Sequence, residues 1–243
     1  MFPRLLLVTF VVVFAPTLFA FQAAGVEKRV SDKLRGKGLT LRVFAKDTRL
    51  EFDQDGRLKR QADIGSWTLY SQFIVTRIDL SESRLRLGGD RVVHRYDRNQ
   101  RKLVPNRSDL SVDIDIDMKN GATFDEVMAN VAKVLVGEEG LLPHVPAYWR
   151  PFLQGQAETP KCKSSGPALT VTGDAQAANI IKQIPPSYPA DSRNLRIEGV
   201  VAFEAEITES GDIGNLTIVL PAGGGLDDAA ANAVSQWKYK PTI

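Results

Sequence analysis

From Val201 the chain alternates in a way that leaves little freedom of fold. Val201, Phe203, Ala205 and Ile207 are interleaved with Ala202, Glu204, Glu206 and Thr208, the period-2 pattern of a strand with one face buried and one wet. Glu209-Ser210-Gly211-Asp212 supplies turn residues, and a second apolar run follows at Ile213, Leu216, Ile218 and Leu220, so a hairpin is expected. After Gly223-Gly224-Gly225, expected to be flexible, Leu226, Ala229, Ala230, Ala233, Val234 and Trp237 fall on one stripe of a helix. Asp227 and Asp228 sit in its first turn and Lys238 and Lys240 beyond its end, each where the helix dipole favours its charge.

That hairpin and helix are entered through Ser187-Tyr188-Pro189 and Leu195-Arg196-Ile197-Glu198-Gly199 and left through Trp237-Lys238-Tyr239-Lys240-Pro241. The order resembles the C-terminal domain of the TonB family. The resemblance implies a small domain over 180–243 with helices packed on an antiparallel sheet, sited in the periplasm and binding extended segments of outer-membrane TonB-dependent transporters. It implies a binding protein in place of an enzyme. Pro185, Ser187, Tyr188 and Pro189 match the family's Tyr-Pro entry motif beside the peptide-binding edge, and Trp237, Lys238, Tyr239 and Lys240 match its strand-leading turn. These eight are the expected peptide-binding residues. Family members continue into a final strand on which the transporter peptide pairs by β-augmentation. The domain here is expected to lack that strand, either because the sequence is truncated or because another chain, such as a second copy in a homodimer, supplies it, and to bind transporter peptides weakly without it.

The N-terminal end bears on compartment. Arg4 precedes an apolar run from Leu5 to Phe14, Pro16 interrupts it, and small residues at Ala20, Ala23 and Ala24 offer cleavage sites before Glu27-Lys28-Arg29, so positions 1–24 read as a signal for export to the periplasm. The alternative is an uncleaved inner-membrane anchor, since about 20 apolar residues suffice to span a bilayer. Energy-transducing family members carry a polar histidine in such an anchor, which couples them to ExbB and ExbD. No residue between Leu5 and Ala24 is ionisable, so those two partners are not expected.

Between the ends lies a segment of different texture, positions 25–153. Short alternating runs at 39–44, 49–52, 57–60, 67–80, 84–87, 91–96 and 109–118 are punctuated by Asp53-Gln54-Asp55-Gly56 and Gly88-Gly89-Asp90, the pattern of an antiparallel barrel or sandwich. Thr123-Phe124-Asp125-Glu126 is a capping box ahead of Val127, Val131, Val134 and Leu135, so a helix closes the unit. Leu141 to Leu153, with Pro143, Pro146, Trp149 and Pro151, reads as an irregular wrap. Positions 154–179 form a linker rich in Gly, Ser, Pro, Thr and Ala, too short at about 90 Å to match the long spacer of the transducing members. The whole is an α+β protein of two domains.

Composition narrows the chemistry. The 243 residues carry 31 basic and 29 acidic side chains for a net charge of +2, so no polyanion partner is advertised and nucleic acid is not expected. Cys162 is the lone cysteine and excludes an intrachain disulfide. His94 and His144 are far apart with no H-x-x-x-H spacing, which leaves zinc or triad chemistry without a seed. Asp113, Asp115 and Asp117 could gather oxygens for calcium, but Met118 and Phe124 stand where a calcium loop needs Gly and Glu. A wet strand face is expected there, with no metal and no cofactor. The basic run Arg84, Arg86, Arg91, Arg95, Arg98, Arg101, Lys102 and Arg107 reads as a solvated strand face. A second reading of the whole makes the β-rich domain the working part, holding a lipid or another apolar ligand, with the C-terminal module only docking or dimerising.

Overall fold

The structure, a computed structural model, describes residues 17–137, 140–154 and 180–241. Most of the expected export signal, Cys162 and all but the first residue of the expected linker lie outside the described residues. The described part opens with helix α1 (Thr17–Leu34), which runs across the expected cleavage region. Val26, Val30 and Leu34 recur one turn apart on it, and Val30 and Leu34 are buried. Arg29 lies over the ring of Phe124, 4.2 Å from its centroid, a cation–π contact that ties α1 to the helix beside it. Among the described residues no helix is long and apolar enough to cross a membrane.

The β-rich unit is a curled six-stranded half-barrel that does not close. Its strands are β1 (Gly38–Leu41), β2 (Arg49–Phe52), β3 (Gln72–Leu80), β4 (Arg84–Asp97), β5 (Lys102–Asp117) and β6 (Leu135–Val136), in the order β2-β5-β4-β3-β1-β6. All neighbours are antiparallel except β2 and β5. Several expected runs are redrawn. Trp67–Tyr70 is a short helix, α2, whose N-cap Ser66 accepts the Thr68 N–H, and residues 57–60 form no strand. Gly88-Gly89-Asp90 lies inside β4 and is no turn. Its composition reflects packing: a Cβ at Gly89 would collide with the Ile74 carbonyl oxygen on β3, so only glycine allows the strands their spacing.

The expected capping box forms. Thr123 accepts the Glu126 N–H, Glu126 accepts the Thr123 N–H, and α3 (Phe124–Val134) follows. Val127, Val131 and Val134 of α3 pack with Val30 and Leu34 of α1 onto Phe73, Leu85, Leu87, Ile114 and Ile116 of the sheet. The chain's own side chains thus fill the curl.

Three aspartates of β5 alternate with buried Val112, Ile114 and Ile116. Asp113 pairs with Arg77 at 2.7 Å, Asp115 with Arg49 and Arg86 at 2.7 Å each, and Asp117 with Lys59 at 2.5 Å. Asp115 lies beneath these guanidinium groups at 2% exposure and so departs from the wet face expected. Burial alone would push its carboxyl up, but Arg86 and Arg49 outweigh it and hold it below the usual carboxylate range. The basic run divides as well. Arg84 and Arg86 face Asp115, and Arg91 turns inward at 1% exposure to donate to the carbonyls of Tyr70, Ala45 and Asp47. Arg98, Arg101, Lys102 and Arg107 stay exposed around the β4–β5 hairpin.

The C-terminal unit comprises β7 (Ile180–Lys182), α5 (Ala190–Asn194), β8 (Ala202–Ile207), β9 (Ile213–Leu220), α6 (Leu226–Val234) and β10 (Lys238–Tyr239). The expected hairpin is β8–β9. It shares a second core with the β-rich unit. Trp67, Leu69, Val93, Val145 and Trp149 pack with Ile197 and Ile218, and the irregular wrap supplies two 3₁₀ turns, Leu142–His144 and Ala147–Trp149, and the short helix α4 (Arg150–Leu153).

The triple glycine, expected to be flexible, is the fastening of this joint. β3 pairs with β4 only as far as Val92, which leaves residues 94–96 of β4 an open edge. Into it the Gly224 N–H donates to the His94 carbonyl at 2.8 Å, and the Tyr96 N–H donates to the Ala222 carbonyl at 2.9 Å. Gly225 N–H reaches Thr68 Oγ1 at 2.8 Å. All three glycines have φ between 58° and 82°, where other residues are strained. Arg95 adds a bond to the Leu195 carbonyl, Tyr70 donates to Asp191, and Tyr148 donates to Asp228.

Candidate functional site

Of the expected site residues, Lys238 and Tyr239 form the short strand β10, which pairs with β7. Lys238 lies opposite Lys182 and Tyr239 opposite Ile180, with a register shift between the two positions. On its other side β10 meets the β8–β9 turn: the Tyr239 N–H donates to the Gly211 carbonyl at 2.8 Å, and Lys238 forms a bridge and an ion pair with Asp212. Gly211 has φ 81°, and a Cβ there would strike the Tyr239 carbonyl. A turn glycine therefore fixes where β10 runs.

Trp237 joins the two expected clusters. Its indole Nε1 donates to the Ile184 carbonyl at 2.8 Å, which holds the start of the Pro185–Pro189 segment against the turn that leads into β10. Helix α6 ends at Val234 and does not include Trp237, so this side chain leaves the helical stripe and turns to the entry segment. Tyr188 donates to the Ile197 carbonyl at 2.5 Å, and Arg193 stands 5.7 Å from its ring centroid. With 41% of its surface exposed, Tyr188 keeps an aromatic face toward solvent. Pro185, Ser187, Lys238 and Lys240 are exposed. Tyr239 is buried and offers a partner only its backbone, while Pro189 serves as N-cap of α5.

The turn residues Gly211 and Asp212 stand where the sequence places them, but β7 and the contacts of that turn with β10 were not expected. Ile180-Ile181-Lys182 is too short to show a period, though its β-branched pair beside the expected linker was a signal. Ile181 is 65% exposed, the most exposed large apolar side chain among the described residues.

Helix α6 hangs from a buried carboxylate. Asp227 is fully buried and accepts the Ala222 and Gly223 N–H groups at 2.8 and 2.7 Å. With Ala231 and Ala233 it forms the inner face, where the stripe of Leu226, Ala229 and Ala230 was expected; those three are only partly buried. Burial pushes the Asp227 carboxyl up from 3.8 to about 6, the two amides opposing it. A carboxyl whose folded pKa is raised penalises the native state when ionised. Its contribution to stability should therefore rise as pH falls from about 7 toward 4, by up to about 3 kcal/mol at 1.36 kcal/mol per unit. Urea unfolding across that range should show this slope in the native chain and lose it in Asp227→Asn. That variant should be less stable overall, because its amide presents a donor to one of the two N–H groups.

Residues 184–243 match the family model for the Gram-negative bacterial TonB protein C-terminal. Neither the curated proteins nor the solved structures hold a match to the chain. The chain contains a TonB-type C-terminal domain, in the place the sequence reading expected it.

Proposed function

We propose that this protein works in the cell envelope, where its TonB-type domain takes up an extended periplasmic segment of an outer-membrane transporter and so supports TonB-dependent transport. Support comes from the family match over 184–243 and above all from the Trp237–Ile184 hydrogen bond. That bond sets an exposed Tyr-Pro segment beside a short strand, the surface an extended peptide needs: backbone pairing supplies affinity and flanking side chains supply selectivity. Pro185, Ser187, Tyr188 and Pro189 line one side of the proposed site, and Trp237, Lys238, the Tyr239 backbone and Lys240 the other. The role is binding without catalysis. ExbB and ExbD have no place in this reading, since no residue between Leu5 and Ala24 is ionisable.

A lipid held by the β-rich unit would need an apolar interior open to a ligand. Leu85, Leu87, Ile114 and Ile116 fill that interior at 0% exposure, so the second reading gains no support here.

Titration of the chain with synthetic peptides copying the periplasmic N-terminal segments of outer-membrane transporters tests the proposal. Binding that weakens about tenfold in Tyr188→Ala, with a cooperative melting transition retained, is the expected result. Absence of binding to every such peptide would refute it. Export carries its own expectation: the mature protein begins between Phe21 and Val26, keeping Val30 and Leu34 for the core. Intact-mass measurement of envelope material checks this, and a species retaining Leu5 to Ala24 would favour an anchored form.

A further inference from the structure

Strand β7 fills the edge of β10 that faces away from the β8–β9 turn, and it is poorly matched to that place. It has three residues, pairs at two positions and is interrupted by a register shift. Lys182 lies directly opposite Lys238, and like charges facing each other across a strand pair weaken it. Lys238 already has Asp212 as its counter-ion, and among the described residues Lys182 forms no ion pair. Ile181 turns its side chain to solvent. The Trp237 anchor lies at Ile184, just past the strand, so residues 180–182 can leave while the Tyr-Pro segment stays.

We propose that Ile180–Lys182 is a displaceable occupant of the β10 edge, and that the strand replacing it is an extended aliphatic peptide with a carboxylate opposite Lys238. This rests on the binding role proposed above and adds two features to it, competition within the chain and the chemistry of the preferred partner. Main-chain pairing to Lys238 and Tyr239 is available to any extended strand. An aliphatic residue in the place of Ile180 lies against buried Tyr239. An Asp or Glu in the place of Lys182 turns a repulsive cross-strand pair into an attractive one.

The test uses the full chain and two heptapeptides taken from its own sequence. One copies residues 178–184, Ala-Asn-Ile-Ile-Lys-Gln-Ile, and the other carries Glu in place of the lysine. Because consecutive N–H groups of a strand point to opposite edges, the double variant Ile180→Pro, Ile181→Pro removes at least one donor that faces β10, whichever edge that is. That variant should bind the Glu peptide at least about fivefold more tightly than the native chain does. It should prefer the Glu to the Lys peptide by about three- to tenfold at low salt, a gap that narrows near 0.5 M salt as the charges are screened. Equal binding by native and double-variant chains, or equal binding of the two peptides at low salt, would overturn the proposal. Lys182→Glu in the intact chain is an independent check: hydrogen exchange at Lys238 should slow several-fold, and unchanged exchange would overturn it. Neither probe is a transporter segment, so failure here leaves the transporter titration to stand or fall alone.

Discussion

Gly223→Ala is expected to unfasten the C-terminal domain from the β-rich unit at a cost of about 3 kcal/mol or more. Gly223 has φ 81°, and a Cβ there would collide with the His94 carbonyl oxygen and lie 2.7 Å from Arg95 Cα. Holding a non-glycine residue in a sparsely populated backbone region costs about 1–3 kcal/mol, and forcing extra volume into a packed site costs about as much again. Relief would require the loop to back away from β4. The hydrogen bonds from Gly224 to His94 and from Tyr96 to Ala222 would then be lost. Urea denaturation should show a lower midpoint and separate transitions for the two units. Gly137→Ala, where an added methyl meets nothing within 4 Å, is the matched control and should stay within about 0.5 kcal/mol of the native chain.

Trp149→Ala should cost about 3–5 kcal/mol, the range for emptying a buried aromatic site. The indole is fully buried where the two units meet, edge-on to Trp67 at 5.1 Å and to Phe152 at 5.8 Å between ring centroids. A cavity there loosens the footing of Ile197 and Ile218 from the C-terminal domain together with that of Val93 and Val145. Both units should therefore lose stability, measured as a fall in melting temperature by near-ultraviolet circular dichroism. Trp237→Ala should behave differently. Its indole is only partly buried and bonds to Ile184, so its loss should fall more on peptide binding than on stability.

Local pattern carried the hairpin, the capped helix α3 and the turn at Asp53-Gln54-Asp55-Gly56, whose Asp53 accepts the Asp55 and Arg57 N–H groups. Each is specified by residues close in the chain. Where the reading failed, distant residues decide the outcome. Gly88-Gly89 looks like a turn until the Ile74 carbonyl is placed against it, and Gly223-Gly224-Gly225 looks like slack until β4 is seen to offer an open edge. Asp227 resembled a dipole-compensating surface charge because its acceptance of two amides behind it leaves no periodic trace. The inward turn of Arg91 was hidden for the same reason, since it satisfies carbonyls 21 to 46 positions away. At the candidate site the Tyr-Pro segment and the Trp-Lys-Tyr-Lys turn were legible through family order. Their meeting was not, because it depends on an indole bond spanning 53 positions.

The most direct test of the transporter-binding claim is site-specific photo-crosslinking in living Gram-negative cells, with the reactive side chain in place of Tyr188, whose aromatic face is exposed beside the proposed peptide edge. The account predicts adducts with outer-membrane transporters that depend on the transporter's periplasmic N-terminal segment and weaken when Lys182→Glu strengthens the pairing of β7 with β10. Adducts that contain no outer-membrane transporter, or that survive deletion of that segment, would contradict it.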